Sequence, residues 1–331
     1  MAKAYALLRA GFPYLTTLGM RRVTSFATDL AIGEEGRLYV LCRAEIAPHI
    51  RKLNWEDEDV GTIDGPFVWP ASLVRDRAEN LYVSDEGAHT IQAFTRDGEL
   101  LAKWGKFGTA PGELNRPSGL AFDADEHLFV ADTQNHRIQK FAKDGSFCAA
   151  WGGFGNAPGE LNMPWGITID DVGDVYVADW RNDRVQKFEA SGRFIMSIGR
   201  TGSDDGEFNR PSGVAVDEHG DIYVADRGNN RVQLFDHRGR YVEKFIGDAT
   251  LSRMGRKYVL ANHKTLRLRE MTTLEPQKRF RAPTSVRFDS EGRLYVADQG
   301  SHRIQVYRKD ALALTPDQIL PEQAAPTLMT T

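Results

Sequence analysis

The chain contains an internal repeat, and this repeat limits the fold more than any other feature. Three segments of 25 residues, beginning at Pro117, Pro164 and Pro211, align without a gap, and further copies begin at Pro70 and Pro283. The aspartates that close the Val-Ala-Asp or Val-Ser-Asp signature stand 47, 47, 47 and 72 residues apart, at Asp85, Asp132, Asp179, Asp226 and Asp298. A period of this length predicts a closed array of structural repeats.

Each copy predicts short strands and not helices. Apolar residues alternate within runs such as Leu120–Phe122 and Leu128–Val130, and Asp/Gly turns separate the runs. A fourth apolar run that ends in glycine follows, as at Phe147–Gly152. Four antiparallel strands make one blade, and blades must form a ring to bury their end faces. The sequence therefore predicts an all-β fold of four-stranded antiparallel blades.

The number of blades follows from a degenerate copy near the N-terminus. Residues Ala31–Leu53 match the second and third strands of a repeat, and Val60–Gly65 matches a loose fourth strand. The last copy has no fourth strand after Arg308, whereas Tyr14–Gly19 fits that pattern. We therefore expect a six-bladed β-propeller over residues 1–309, closed by the N-terminal strand, with a helical insertion between blades five and six.

The end of the repeat resembles a known family, the NHL repeat, whose mark is Asp-x-x-Asn-x-Arg-Ile/Val-Gln after a Tyr-Val-x-Asp strand. The motif reads DTQNHRIQ from Asp132, DWRNDRVQ from Asp179, DRGNNRVQ from Asp226 and DQGSHRIQ from Asp298. The resemblance covers residues 23–308, although blade one has Cys42 and His49 and blade two has Thr90 at motif positions. It implies a propeller that binds a protein, peptide or RNA partner on one face.

The composition is that of a globular protein without a strong charge. The 331 residues carry 42 Lys and Arg against 46 Asp and Glu, a net charge of −4, so any basic site must be local. Only Cys42 and Cys148 occur, which favours a reducing, cytoplasmic location. We expect a monomer with no signal peptide and no membrane span. Residues 310–331, rich in Ala, Pro and Thr, are expected to be a disordered tail.

The charged pair that recurs in the repeat, such as Asp132 with Arg137, is expected to be structural. Residues that recur in four blades point in four directions around the ring and cannot meet at one substrate. We expect each pair to hold the loop between blades through charge-assisted hydrogen bonds. Functional residues should instead be those that break the repeat.

The candidate site lies on the face where each fourth strand leads into the next first strand, which we call the top face. Residues beside the repeated proline and after the Val-Ala-Asp signature surround the central channel there. Trp180 breaks the repeat, and Trp and Arg are enriched at the energetic centres of interfaces. Trp165 could equally plug the ring as core. The predicted partner-binding residues of this rim are Arg116, Trp165, Trp180, Arg181, Arg210 and Arg227.

The insertion at residues 248–281 predicts a helix. Apolar residues recur at helical spacing in the segment that begins at Ala249, namely Leu251, Met254, Tyr258, Ala261 and Leu268. Asp248 is the expected N-cap. Gly255 and Asn262 are positions at which the helix could be broken in two.

The insertion is also basic, in contrast to the rest of the chain. Nine basic residues against two acidic ones lie between Arg253 and Arg281. Because the insertion replaces a connection between fourth and first strands, we expect it on the top face, with Arg253, Arg256 and Lys257 joining the partner-binding surface. The alternative is a helix packed on the rim with its charges in water.

Two classes of function remain open. The first is a non-catalytic platform that recognises a protein, a peptide or another anionic partner on the top face, with RNA ranked lower because paired stacking aromatics are missing. The second is a propeller enzyme of lyase or hydrolase type that acts on a small molecule in the central top-face pocket.

The enzyme class receives little support from metal-ligand patterns. The amidating lyases that this propeller resembles hold zinc through histidines beside the repeated proline, and no flanking position here is His. His89, His136 and His302 share one repeat position and therefore diverge. A calcium site is opposed by the Arg and Trp of the rim. We expect no metal, no cofactor and no catalytic residue.

Overall fold

Six antiparallel four-stranded sheets form the blades of a closed ring in the computed structural model, which describes residues 8–44, 47–262, 267 and 273–313. The innermost strand of each blade contacts the innermost strands of both neighbouring blades, and the last of these strands contacts the first. The predicted six-bladed β-propeller is therefore confirmed.

Strands are numbered along the chain, and four of them make each blade from the channel outwards. Blade one contains β3 (Ala27–Ile32), β4 (Leu38–Cys42), β5 (His49–Leu53) and β6 (Asp59–Asp64). Blade two contains β7 (Pro70–Arg75), β8 (Leu81–Asp85), β9 (Thr90–Phe94) and β10 (Leu100–Trp104). Blade three contains β11 (Pro117–Phe122), β12 (Leu128–Asp132), β13 (Arg137–Phe141) and β14 (Phe147–Gly152). Blade four contains β15 (Pro164–Ile169), β16 (Val175–Asp179), β17 (Arg184–Phe188) and β18 (Phe194–Ile198). Blade five contains β19 (Pro211–Val216), β20 (Ile222–Asp226), β21 (Arg231–Phe235) and β22 (Tyr241–Phe245). Blade six contains β23 (Pro283–Phe288), β24 (Arg293–Asp298), β25 (Arg303–Arg308) and, from the N-terminus, β2 (Tyr14–Leu18).

Short helices and one extra ribbon complete the structure. Single 3₁₀ turns occupy Glu34–Gly36, Thr133–Asn135, Trp180–Asn182, Arg227–Asn229 and Gln299–Ser301. The insertion contains α1 (Arg253–Leu260) and α2 (Glu275–Lys278), and the two terminal strands are β1 (Leu8–Gly11) and β26 (Asp310–Ala313).

The hydrophobic core is divided into layers between neighbouring blades. Phe129 and Ile138 of blade three pack with Ile167 and Val177 of blade four, for example. Each such side chain contributes about 1.5–3 kcal/mol when it is fully buried. Because both faces of a blade are covered, a second strand such as β12 is buried at every position and reads as a continuous apolar run.

The ring closes through pairing of the two ends of the chain. Strand β2 is antiparallel to β25, with Leu18 opposite Ile304 and Thr16 opposite Val306. Thr17 and Leu18 are buried in this arrangement. The expected closure by the N-terminal strand is confirmed, and it gives blade six the outer strand that the C-terminal repeat lacks.

Regular structure extends beyond residue 309, so the expected tail boundary is corrected. Strand β26 pairs with β1 along its whole length. This ribbon continues the β2–β25 pair past Pro13, whose carbonyl oxygen accepts a hydrogen bond from the Arg308 N–H at 3.0 Å. Two antiparallel strands that leave a blade side by side can satisfy each other's backbone groups, which the composition of the tail does not reveal. Residues 314–331 lie outside the described residues.

The insertion is helical as expected, but its boundaries differ. Ser252 is the N-cap of α1, because its Oγ accepts a hydrogen bond from the Gly255 N–H at 3.0 Å. The proposed cap Asp248 instead donates its backbone N–H to Oε1 of Gln305 at 3.0 Å. Residues before Ser252 are thus held by blade six and cannot join the helix. Leu268, part of the predicted apolar face, lies outside the described residues.

Helix α1 packs on the outer side of blade six and on the outer hairpin turn of blade one. Its Met254 contacts the core between these blades. The Asp57 carboxylate joins three segments, since it accepts hydrogen bonds at 2.6 Å from the N–H groups of both Met254 and Gly19. The buried face of the helix is formed by Gly255 and Val259; Gly255 is therefore a packing position and does not break the helix.

A buried lysine provides a second link between the last two blades. Lys309, directly after β25, is 2% exposed at its side chain, and its Nζ lies 2.5 Å from Asp217 and 2.6 Å from Asp221 of blade five. Burial raises the pKa of Asp221 despite this partner. The lysine lies at the very end of the repeat region, where nothing in the motif identifies it.

Deletion of residues 1–20 should destabilise the whole ring, because it removes β2 and leaves β25 as an unpaired edge. The loss of buried Leu18 and of the ladder hydrogen bonds should cost about 4 kcal/mol or more, a fall in melting temperature of roughly 6 °C or more. Differential scanning calorimetry measures this, with the exposed-site variant Leu15→Ser as control. A truncated chain that melts like the full chain and stays monodisperse would contradict the closure.

The variant Lys309→Met should lose about 3–5 kcal/mol of unfolding free energy, because it leaves the carboxylates of Asp217 and Asp221 without the buried cation that contacts both. Lys244→Met removes a similarly short but exposed pair, with 2.7 Å between Nζ and Asp205, and should lose no more than about 1 kcal/mol. Urea unfolding of both variants tests this, and equal losses would show that burial of Lys309 is unimportant.

Candidate functional site

The aspartate of the repeat is the centre of a buried hydrogen-bond network. The Asp132 carboxylate is fully buried and accepts hydrogen bonds at 2.7 to 3.0 Å from the Asn115 N–H and from the side chains of Asn135, Arg137 and Gln139. The same four donors hold the carboxylates of Asp179 and Asp226, and Asp298 has three of them, because Ser301 replaces the asparagine. Burial nevertheless raises the pKa of Asp179 and Asp226.

The arginine of each pair fastens the connection from the preceding blade. Arg137 donates to the carbonyl oxygens of Thr109, Ala110 and Glu113 at 2.7 to 2.9 Å. In blade six, Arg303 donates to the carbonyl oxygen of Arg279 at 2.9 Å, so the end of the insertion takes the place of a normal connection. The expected structural role of the Asp–Arg pairs is confirmed.

Blades one and two use different groups at the motif positions. In blade two, where Thr90 replaces the arginine, Asp85 accepts four backbone N–H groups, from Val68, Trp69, Gly87 and Ala88. In blade one Cys42 replaces the aspartate, and burial raises the pKa of its thiol to about 12, so this site carries no charge.

The repeated histidines are structural as well. His89, His136 and His302 each accept, through Nδ1, the backbone N–H of the residue before the next inner strand, at 2.9 to 3.0 Å. Asp183 and Asn230 do the same in blades four and five. These acceptors bind five different connections around the ring, which agrees with the expectation that the histidines diverge.

A narrow neck divides the central channel. It is formed by the third residue of each inner strand: Asp29, Ser72, Gly119, Gly166, Gly213 and Ser285, around a space of about 20 Å³. A Cβ at Gly119 would lie 2.3 Å from the Trp165 carbonyl oxygen, and one at Gly166 would lie 2.5 Å from the Ser212 carbonyl oxygen. Only glycine permits this approach of backbones, and the channel therefore has separate top and bottom ends.

On the top face, five of the predicted site residues come together, and we call them the rim cluster: Trp165, Trp180, Arg181, Arg210 and Arg227. The rings of Trp165 and Trp180 lie 5.4 Å apart. The guanidinium groups of Arg181 and Arg210 lie 5.1 and 5.3 Å from the centre of the Trp180 ring. Trp165 is half-buried and also lines the neck, so it has part of the plugging role considered above.

The sixth predicted rim residue, Arg116, belongs to a neighbouring charged group. It lies 3.2 Å from the buried Glu86 carboxylate, which is also 3.5 Å from Arg43. Arg43 in turn stacks over Trp69 at 4.8 Å. Sequence reasoning did not single out Arg43, although it follows the position where Cys42 breaks the motif.

On the top face, arginine side chains outnumber the carboxylates that could pair with them. Among the described residues, no carboxylate lies within 4.0 Å of the charged groups of Arg181, Arg210 or Arg227, and Glu86 is shared by Arg43 and Arg116. Burial lowers the pKa of Arg227, and the nearby Arg210 lowers it further. Burial also lowers the pKa of Arg43, to which Arg227 contributes by repulsion. A negatively charged group is therefore favoured at this end of the channel.

The basic residues of the insertion are exposed but have other neighbours. Arg253, Arg256 and Lys257 lie on α1, and Arg253 lines a surface pocket together with Glu56 and Asp57. Within the described part of the chain, the contacts of α1 are with blades six and one, and none of them involves the rim cluster.

Two exposed phenylalanines on the connections between blades were not predicted. Phe107 and Phe154 are 68% and 72% exposed and lie edge-on to His89 and His136. They occupy equivalent positions in the connections that also carry Arg116 and Met163. An apolar residue within the polar segments KFGTAPGELN and GFGNAPGELN was the available signal.

One group of side chains among the described residues has the composition of a metal site, and it lies away from the rim. Asp123, Asp125 and His127 lie in the turn after β11. The Asp123 carboxylate is already bonded to Lys140 at 2.9 Å and to the His127 ring at 3.2 Å. The Asp123 carboxylate and the His127 ring are therefore already paired through hydrogen bonds and ion pairs.

The fold defines the chain as a six-bladed propeller with an aromatic and cationic top face. Four segments match the NHL repeat model, residues 114–141, 161–188, 208–235 and 280–307, and the chain thus contains four NHL repeats. No curated protein sequence matches the chain significantly. None of the described helices is long and apolar enough to cross a membrane.

Solved structures with the same fold have diverse descriptions. A structural genomics protein of unknown function from Bacteroides thetaiotaomicron has 18% identity and a TM-score of 0.64, covering 91% of this chain and 77% of that one. An auxiliary nutrient binding protein from the same organism has 12% identity and the same TM-score and coverage. Virginiamycin B lyase from Staphylococcus aureus, as an inactive histidine-to-alanine variant with quinupristin, has 12% identity and a TM-score of 0.57, covering 95% and 88%. These likenesses show the fold alone.

At low pH, protonation of His136 and His302 should lower the free energy of unfolding of the ring. Burial lowers the pKa of both below the usual value near 6.5, and their Nδ1 atoms accept hydrogen bonds only when unprotonated. Their contribution to stability is therefore complete above about pH 6.5 and is lost as the pH falls through the lowered values.

The double variant His136→Asn, His302→Asn should lose less stability between pH 7.5 and pH 5 than the natural chain. Asn230 already occupies the equivalent position in blade five, and Asn tolerates the left-handed backbone found there. Urea unfolding at both pH values measures the difference. An identical loss in variant and natural chain would exclude these histidines as the cause.

Proposed function

We propose that the chain is a non-catalytic binding platform and that its rim cluster recognises an acidic segment of a partner protein. The observation that supports this most directly is the set of three guanidinium groups, on Arg181, Arg210 and Arg227, with no carboxylate beside them in the described structure. Two of them stack on Trp180. A partner carboxylate would replace like-charge repulsion by charge-assisted hydrogen bonds.

The surroundings of the rim cluster suit a peptide more than a bare ion. Trp69 is 45% exposed and, with Phe107 and Phe154, offers apolar surface on neighbouring connections. Interfaces combine such aromatic anchors with arginine. The expected partner is therefore a protein segment that carries Asp or Glu together with large apolar residues; Arg116 would contact it beside the shared Glu86.

The enzyme alternative has less support. The lyases of similar fold suggest it, but the neck below the rim cluster leaves only about 20 Å³, about enough for one water molecule, and not for a small-molecule substrate. The histidines His89, His136 and His302 are occupied with backbone hydrogen bonds. A cytoplasmic location belongs to the same proposal, since Cys148 is an exposed free thiol.

The double variant Arg210→Ser, Arg227→Ser should weaken binding of a fluorescein-labelled peptide rich in Glu, Asp and Phe by about tenfold or more. Each lost charge-assisted hydrogen bond is worth about 1.5–3 kcal/mol, and fewer cations should also make binding less dependent on salt. Fluorescence anisotropy at several NaCl concentrations measures both effects. The melting temperature should change little.

Matched controls separate the rim from general basicity. Arg193→Ser with Lys244→Ser removes two exposed cations, one in the turn before β18 and one on β22, and should leave binding unchanged. Arg253→Ser, Arg256→Ser, Lys257→Ser tests whether α1 extends the surface. If this helix variant abolishes binding and the rim variant does not, the proposed site is wrong; if poly(U) RNA competes better than the peptide, the partner class is wrong.

A further inference from the structure

A cavity lies at the bottom end of the channel, on the far side of the neck from the rim cluster. Its volume is about 410 Å³, within the range of about 300–1,000 Å³ that small-molecule sites occupy. The ends of the inner strands β3, β7, β11, β15 and β23 form its wall. We call it the basal cavity.

Two arginines break the repeat in this wall. The sixth residue of the inner strand is apolar in five blades, as in Phe122 and Ile169, but it is Arg75 in blade two. The fifth residue is Ala, Val or Thr in five blades, but it is Arg287 in blade six. An apolar ring carried by a repeat has no structural need for either charge, so these are the positions at which function should be sought.

Both arginines reach towards the inner strand of blade one, which lies between their own blades. Arg75 donates its Nε–H to the Ile32 carbonyl oxygen at 2.5 Å. Arg287 donates to Asp29 Oδ2 at 2.7 Å. The carboxylate of Asp29 also accepts from Ser72 and Ser285 at the neck. Arg287 therefore lies at the neck, whereas the guanidinium group of Arg75 lies at the bottom ends of the inner strands, at the level of the apolar sixth residues.

The carboxylates of the neck and of the cavity wall are paired with cations. Asp29 has Arg287 at 2.7 Å, Asp123 has Lys140 at 2.9 Å, and Asp76 and Glu126 share Lys143, at 2.8 and 3.0 Å. Arg75, in contrast, bonds only to backbone carbonyl oxygens, of Ile32 and Asp76. Within the described residues no carboxylate lies within 4.0 Å of its charged nitrogens.

We propose that the basal cavity binds a small organic carboxylate with an apolar body. The carboxylate lies against Arg75, whose planar fork matches its geometry, and the body lies against half-buried apolar side chains such as Phe122, Ile169 and Phe288. A dianion such as phosphate is disfavoured, because the carboxylates of Asp76, Asp123 and Glu126 line the same cavity. This site is separate from the proposed rim function.

Isothermal titration calorimetry with octanoate tests the proposal, with 1-octanol and inorganic phosphate as comparison ligands. We expect saturable binding of one octanoate, at least about tenfold weaker binding of octanol, and no binding of phosphate. Arg75→Leu should weaken octanoate binding by about 10- to 100-fold, as expected for one charge-assisted contact. Leucine at this position restores the apolar ring of the other five blades, so the variant should fold.

Two further variants keep the outcome unambiguous. Ile169→Trp fills the cavity without changing charge and should also abolish binding, whereas Arg210→Ser with Arg227→Ser, on the top face, should leave octanoate affinity unchanged. The proposal is overturned if octanoate does not bind, if octanol binds equally well, or if Arg75→Leu, with a normal melting temperature, retains full affinity. Loss of binding in the top-face variant would place the site at the wrong end of the channel.

Discussion

Closure of the ring is the constraint on which the rest of the structure depends. A blade is apolar on both faces, so each layer of core exists only while a neighbouring blade covers it, as blade four covers Phe129. Blade six is completed by β2 from the opposite end of the chain, and Lys309 binds its last strand to blade five. The insertion is attached to the same junction through Asp57, whose carboxylate holds both Gly19 and Met254. Stability is thereby concentrated where the chain ends meet.

The network around each repeated aspartate leaves the most frequent charges of the chain without free hydrogen-bonding capacity. A carboxylate such as Asp132, with four donors and no exposure, has no capacity left for a ligand. Its arginine is equally occupied, by backbone carbonyl groups of the connection. The residues that we propose to bind ligands are ones that the repeat does not require, and they lie at the two ends of the channel: Trp180 and Arg227 at the top, Arg75 at the bottom.

Sequence periodicity predicted the parts of the fold that are set by local pattern. Six blades, their strand order and the role of Tyr14–Leu18 follow from repeat spacing, because each strand carries its own alternation. The start of α1 could not be predicted from periodicity, because the Asp248 N–H is hydrogen-bonded to Gln305 of β25. This contact joins residues that are far apart in sequence. Five of the six predicted rim residues lie together because topology gathers the loops beside each proline. Arg43 was missed because its position is set by packing on Trp69 and Glu86, and pairing of β26 was missed because composition says nothing about a partner strand.

The neck determines whether binding at one end of the channel can influence binding at the other end. Gly119 and Gly166 allow no additional atom between blades, and on the opposite side the Asp29 carboxylate is held by Ser72, Ser285 and Arg287. A closely packed layer of this kind cannot deform gradually. Arg75 bonds to the carbonyl oxygens of Ile32 and Asp76 at the strand ends, whereas the hydrogen bonds of Asp29 at the neck are already satisfied by the two serines and Arg287. The two surfaces should therefore bind independently, and the free-energy effects of substitutions at one should add to those at the other.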